Sequence, residues 1–181
     1  MLGDLPVKIR RLTEFPDLPE AVESGTTFEE NAAAKAMHYA KLTGIVTLAE
    51  DSGIEIDALG GAPGVYSARF AGRHGDDAAN NAKVLQLLAG VAEPQRTGRF
   101  RCVCVLASAD TVIAKGEGTI EGRILAEPRG SGGFGYDPLF FVPELGCTTA
   151  ELSRQAKNAI SHRGRALRAI RPRLEDWLRR Q

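Results

Sequence analysis

Cysteine is scarce in this sequence and does not pair by number. Three are present, Cys102, Cys104 and Cys147. An odd count with no C-x-x-C spacing argues against a disulfide framework and against a thiolate zinc site. Cys102 and Cys104 share one face if their segment is a strand, where they fit as small buried hydrophobes. An excess of charge of either sign is also missing. Lys plus Arg number 23 and Asp plus Glu number 23, so the net charge is zero. That removes the broad basic footprint of a duplex-binding protein. No signal-peptide h-region stands out, and no apolar run reaches the roughly 18 residues a membrane span needs. Internal repeats and low-complexity tracts are absent too. These absences point to a reduced, cytoplasmic protein with no membrane and no nucleic-acid partner.

What is there suits a globular enzyme or binding domain. A chain of 181 residues matches one domain, residues 1–181, and can bury a proper core without staples. "VKIRRL" (Val7 to Leu12) reads as a short strand and "EFPDLPEAVESG" as a loop. In "TTFEENAAAKAMHYAKLTG", Thr27 and Glu30 form a capping box and Gly44 stops a helix. "IVTLAE" is a buried strand that breaks at "DSG", and "IEIDAL" is a strand edge. "DDAANNAKVLQLLAG" is a second helix. "TGRFRCVCVLAS" and "TVIAKGEGTIEGRI", separated by Ala109 and Asp110, make a hairpin. "LFFV" is a brief strand, and the remainder is helical with a kink or break at Pro172. Helices and strands mix with few clean βαβ units, so the expected fold is α/β or α+β with a mixed sheet.

Four clusters carry chemistry. Glu50 and Asp51 are adjacent carboxylates at a strand end, which repel unless a cation lies beside them. Magnesium takes one or two carboxylates and fills its other positions with water and phosphate oxygens. The competing reading is a plain Asp-Ser-Gly turn. Glu23 precedes the first helix, and Asn31 and Lys35 share one face of it, where a solvated face is the simpler account. Ser161, His162 and Arg163 open the last helix, with Lys157 shortly before. A helix start offers backbone donors to an anion, and a basic, capped helix start is the alternative. Last, "GSGGFGYDP" holds Phe134 between two glycines. A ring so presented can stack on a nucleobase, or it can fold back into the core.

Taken in order, "ESGTTFEENAAAKA", "LAEDSGIEIDALGGAPGVYSARFAG", "GGFGYDPLFFVP", "AELS" and "KNAISHRGRAL" resemble the signatures of the inosine triphosphate pyrophosphatase family, the Ham1-like or RdgB-like nucleoside triphosphate pyrophosphohydrolases. The resemblance runs from about Glu14 to the C-terminus. It implies a mixed α/β fold of two lobes with the site in the cleft between them. It implies a homodimer and a Mg²⁺-dependent hydrolysis of ITP, dITP and XTP to monophosphate and pyrophosphate, removing deaminated purines from the nucleotide pool. By resemblance, Asp51 is the general base and a metal-associated carboxylate, Glu23 a metal ligand and Lys35 the phosphate lysine. Ser52 is a substrate contact. Phe134, Gly135, Tyr136 and Asp137 match the base-binding loop, and Lys157, His162 and Arg163 the remaining nucleotide contacts.

Two departures from the family pattern stand out. The family usually shows two aspartates where this chain has Glu50-Asp51; Glu50 is expected beside the metal all the same. The family also opens with a strand and a T/S-x-N-x-x-K-x-x-E loop, whereas this chain starts at "MLGDLPVKIRR". The resemblance therefore implies an N-terminally truncated domain. That leaves a second expectation, a catalytically weak nucleotide-binding or dimeric interaction protein that lost its N-terminal phosphate grip. A more distant one is a phosphatase acting on another phosphorylated metabolite.

Overall fold

A long hairpin is the spine of the molecule. In this computed structural model, which describes residues 2–180, β2 (Thr97–Ala107) and β3 (Val112–Ile124) pair antiparallel along their length. β1 (Thr47–Ile56) lies on the other side of β2, and the short β4 (Phe140–Val142) and β5 (Cys147–Thr148) extend the sheet beyond β3. The order is β1-β2-β3-β4-β5. The expected α/β architecture is present, and the pairings among the described residues are antiparallel throughout rather than mixed.

Alternation along β2 decides which helix covers which face. Val103, Val105 and Ala107 pack with Phe28, Ala32 and Ala36 of α1 (Phe28–Thr43). Cys102, Cys104 and Leu106 pack with Ala166, Ile170 and Leu174 of α4 (His162–Leu178). The sheet is thus clamped between two helices, each presenting apolar residues at four-residue spacing. α1 begins with the expected box: Thr27 Oγ1 accepts from Glu30 N at 3.1 Å, and Glu30 Oε2 accepts from Thr27 N at 3.2 Å.

α4 lies very close on β3. A Cβ added at Gly118 would stand 2.2 Å from the His162 carbonyl oxygen, and one at Gly116 2.5 Å from the Ile170 nitrogen. Only glycine, which has no Cβ, lets helix backbone and strand backbone meet in this way.

A second core forms past the middle of the sheet. Ile54 and Ile56 of β1, Phe100, Ile120, Ile124 and Phe140 join Val84 and Leu88 from the region of α2 (Asp77–Leu87). β1 therefore runs from one lobe into the other: Leu48 and Ala49 belong to the helix-clamped part, Ile54 and Ile56 to the second core. Glu50 and Asp51 fall at the junction.

Three local expectations are corrected. β1 does not break at "DSG" but continues through it, because β2 offers a partner at every step from Thr47 to Ile56. Val7 to Leu12 form no strand: none of them pairs into the sheet, Leu12 opens a short turn of 3-10 helix, and Ile9 and Leu12 are exposed. α4 is not broken at Pro172, which sits inside the helix between the buried Ile170 and Leu174. Packing on both sides of the proline outweighs the hydrogen bond it removes.

Candidate active site

One half of the site is ionic. Lys35 Nζ lies 2.9 Å from Glu23 Oε1 and 3.0 Å from Asp51 Oδ1. The alanine-rich face of α1 brings this lysine against β1. Asn31, one turn earlier and fully buried, donates through Nδ2 to Asp51 Oδ2 at 3.2 Å and accepts from Gly25 N at 2.8 Å. It thereby ties the Glu23 segment to the strand. Arg69 approaches Glu23 at 3.8 Å.

Burial raises the Asp51 carboxyl above the usual aspartate range, even though Lys35 and Asn31 act against the rise. Burial works against the Lys35 charge, but the bonds to Glu23 and Asp51 together outweigh it and raise the lysine. The pair is thus an ammonium held firmly protonated beside a carboxylate with strengthened proton affinity. Two carboxylates converging on one cation provide hard oxygen donors, which fits a small divalent ion.

The other half is aromatic and basic. Phe134 is 58% exposed. Lys157 Nζ stands 4.5 Å and the Arg163 guanidinium carbon 5.0 Å from its ring centroid. The loop that presents it is rigidly tied. Phe134 N donates to Asp137 Oδ2 at 2.8 Å, Thr149 Oγ1 donates to Asp137 Oδ1 at 2.8 Å, and Lys157 pairs with Asp137 Oδ2. Gly135 N donates to Asp77 Oδ2 at 2.6 Å and its carbonyl accepts from Asn81 Nδ2 at 2.9 Å, fixing the loop to α2. Gly133 has φ +77°, and a Cβ there would meet Asp137 Oδ2 at 2.0 Å. Glycine is required for both reasons.

Several of the expected site residues are buried or already partnered within the protein. Tyr136 is 4% exposed and donates through its hydroxyl to the Ser67 carbonyl at 2.8 Å. It belongs to the second core. Asp137, 2% exposed, spends its oxygens on protein donors. His162 is 7% exposed and stacks on Phe100 at 4.9 Å. Burial, together with the neighbouring Arg163 charge, pushes it down to about 4, so the ring is neutral. Ser161 caps α4, accepting from Gly164 N at 3.1 Å. Ser52 is half-buried on β1 opposite Cys102.

Glu50 is the main departure from expectation. On an extended strand adjacent side chains point to opposite faces. Asp51 accordingly meets α1, while Glu50 turns to the α4 face. Its Oε1 pairs with Arg163 Nε at 2.9 Å and its Oε2 accepts from the buried Cys102 Sγ at 2.9 Å. Burial would raise this carboxyl, but the Arg163 charge and the thiol bond outweigh it and hold it below the usual range. The contact with Cys104, burial and the Glu50 charge all push the Cys102 thiol well up, so it stays protonated as the donor. Glu50 is therefore not gathered with Glu23 and Asp51. Among the described residues no group of three or more His, Cys, Asp and Glu side chains is placed to hold a metal. Asn31, Arg69, Cys102 and Thr149 are the participants not singled out as site residues from the sequence. Only Asn31 gave a signal there, four residues before Lys35.

The two halves meet at the Glu50–Asp51 peptide. A cavity of about 780 Å³ beside the start of β1 touches this arrangement only at Lys35. Its lining is mostly apolar, including Leu5, Leu48 and Trp177, with Lys8, Arg10 and Lys35 among it.

A family model described as the Ham1 family matches residues 1–173. The chain is 58% identical over 155 residues to a dITP/XTP pyrophosphatase of Desulforamulus reducens, covering 86% of this chain and 77% of that protein. It is 52% identical over 174 residues to a dITP/XTP pyrophosphatase of Geobacter sulfurreducens, covering 96% and 87%. Among solved structures, a HAM1 protein from Coxiella burnetii superposes with a TM-score of 0.87 at 45% identity, covering 99% of this chain and 90% of that one. The Ham1 protein of Staphylococcus aureus follows with 0.84 at 41% identity, covering 91% and 84%.

Proposed function

The chain belongs to the Ham1 family, and from that premise we propose that it is a pyrophosphohydrolase of deaminated purine nucleoside triphosphates. ITP, dITP and XTP are cleaved to the monophosphate and pyrophosphate. One observation carries the reading: an exposed ring flanked by two cations and an ionic Glu23–Lys35–Asp51 group are joined through one dipeptide. That spacing along β1 suits a nucleotide whose base lies on Phe134 and whose phosphates reach toward Lys35.

Glu23 and Asp51 would hold a magnesium ion, which when bound neutralises charge on the phosphate oxygens. Asp51, its proton affinity strengthened by burial, accepts the proton of the attacking water. The water oxygen joins phosphorus at the α–β anhydride, and the bridging oxygen leaves with pyrophosphate. Lys35 draws the phosphates into line and offsets the charge that develops. Phe134 stacks on the purine without regard to its edge. Arg163 has only donors, so it suits the 6-oxo acceptor of hypoxanthine or xanthine and meets the 6-amino group of adenine donor to donor. Lys157 fixes Asp137 and with it the loop. Tyr136 and His162 hold that frame from behind, and Ser52 lines the strand between the halves.

The reading takes residues 1–181 as one functional unit working as a homodimer in the cytoplasm. Exposed Val22, Tyr66 and Leu87 supply apolar surface for self-association, and light scattering of the purified protein tests it. No helix among the described residues is long and apolar enough to cross a membrane. The deciding experiment for function is Mg²⁺-dependent release of pyrophosphate from ITP, dITP and XTP, with ATP as the control. Nucleotide binding without turnover would favour a binding module instead, and release of orthophosphate would favour a phosphatase.

A further inference from the structure

We infer that Glu50 is a positioning residue for purine discrimination: its carboxylate anchors Arg163 beside Phe134 and is itself fixed by the buried thiol of Cys102. The inference rests on the reading of Arg163 as the group that meets the purine 6-position.

An arginine on a helix start has a fixed backbone and a long, mobile side chain. A donor can refuse a 6-amino group only if it stays where the clash occurs. Arg163 is 5.0 Å from the Phe134 ring centroid, a contact that leaves the guanidinium free to slide over the ring. Glu50 removes that freedom at 2.9 Å. Arg163 Nε meets the carboxylate off the hydrogen-bond axis, so the contact restrains by charge and leaves the outer guanidinium nitrogens for a ligand. Glu50 in turn has little play. Cys102 is fully buried on β2, donates to Oε2 at 2.9 Å and lies 4.0 Å from Cys104 Sγ. The anchor is therefore the sheet itself.

The position of Glu50 adds a second consequence. It directly precedes Asp51 on β1, so the carboxylate that takes the proton and the carboxylate that sets the base reader share one peptide plane. Base recognition and hydrolysis are registered to each other by a single residue step on opposite faces of a strand.

The test compares ITP and ATP turnover in the parent, Glu50→Gln, Arg163→Ala and the double variant, with Mg²⁺ binding measured by calorimetry. Glu50→Gln should lower the ITP-over-ATP preference in kcat/KM about two- to fivefold, the weight of a partly exposed ion pair, mainly through KM for ITP. The double variant should lose no more than Arg163→Ala alone. Mg²⁺ affinity should match the parent, whereas Glu23→Gln should weaken it. Glu50→Asp keeps the charge but withdraws it by one methylene, and should lose part of the preference; it carries the test if Glu50→Gln does not fold. Parental preference in the Glu50 variants overturns the inference, as does a loss of Mg²⁺ affinity like that of Glu23→Gln. Unchanged preference in Arg163→Ala overturns the underlying reading of Arg163 instead.

Discussion

The Lys35 ammonium stands 3.0 Å from the Asp51 carboxylate, in the space a dication would share with Glu23. Lysine and metal therefore compete for the same negative charge. Lys35→Gln should bind Mg²⁺ about tenfold more tightly in the absence of nucleotide, since a unit charge near 3 Å is worth about 1.4 kcal/mol even at the dielectric of bulk water. The same variant should turn over ITP more slowly, because the lysine is missing from the phosphates. Titration calorimetry with Mg²⁺ alone checks the first half. Weaker or equal binding would show that the ammonium does not stand in for the ion.

Asp51→Asn should abolish turnover while leaving nucleotide binding largely intact. Loss of a general base typically costs 10²–10⁴ in rate. The amide keeps one oxygen, which can accept from Lys35 or from Asn31, while its NH2 faces the other donor; the β1 pairing with β2 still holds the strand in place. Near-parental hydrolysis of ITP by this variant would remove Asp51 from the chemistry.

Phe134→Ala should weaken ITP and XTP about equally, by roughly 1–3 kcal/mol. The ring is exposed and makes no core contact whose loss would confuse the measurement. Kinetics on both nucleotides decide it. A selective effect on one would mean that the ring reads an edge rather than a face.

His162 predicts a pH effect on stability. Its folded value lies near 4 against 6.5 when unfolded. Above pH 6.5 both states are neutral, and the buried ring contributes its full stacking. Below it the unfolded histidine takes a proton that the folded one refuses, so stability is lost as pH falls toward 4. The loss amounts to up to about 3 kcal/mol. Arg163 and Lys157 oppose protonation, and Glu50 and Asp137 favour it. In urea unfolding from about pH 7.5 to about pH 4, His162→Gln should lack this component, and the gap to the parent should narrow with acid. Parallel curves would mean that the ring titrates normally.

How much of this was legible before the fold was known differs by region. The capping box at Thr27, the hairpin around Ala109 and the cap at Ser161 are local signals, set by residues within a few positions of one another, and all three stand in the structure. Asp-Ser-Gly misled because it is a good turn sequence by itself, yet β2 supplies ladder partners through it. Continuity of β1 then sends Glu50 and Asp51 to opposite faces, which no adjacent-carboxylate argument could foresee. The glycine loop misled in the other direction. Its composition suggests exposure throughout, but Tyr136 finds its partner at Ser67 and Asp137 finds one at Thr149. Those partners are remote in sequence, and the burial they bring is a tertiary fact.

Gly118 lies under the first turn of α4, where the backbone of His162 rests almost on the strand. The helix is a lever with its fulcrum there, and Arg163 rides on the short arm. A methyl group at Gly118 would meet the His162 carbonyl oxygen at 2.2 Å and the Ala166 nitrogen at 2.4 Å, both backbone atoms, so that end of the helix must shift by about an ångström and carry Arg163 with it. Such a substitution should cost about 1–3 kcal/mol from overpacking, visible as a lower midpoint in urea. Its more telling mark would be an enzyme that still cleaves ITP but has become careless about ATP. Fidelity here can thus be eroded from behind, at a residue that touches no nucleotide.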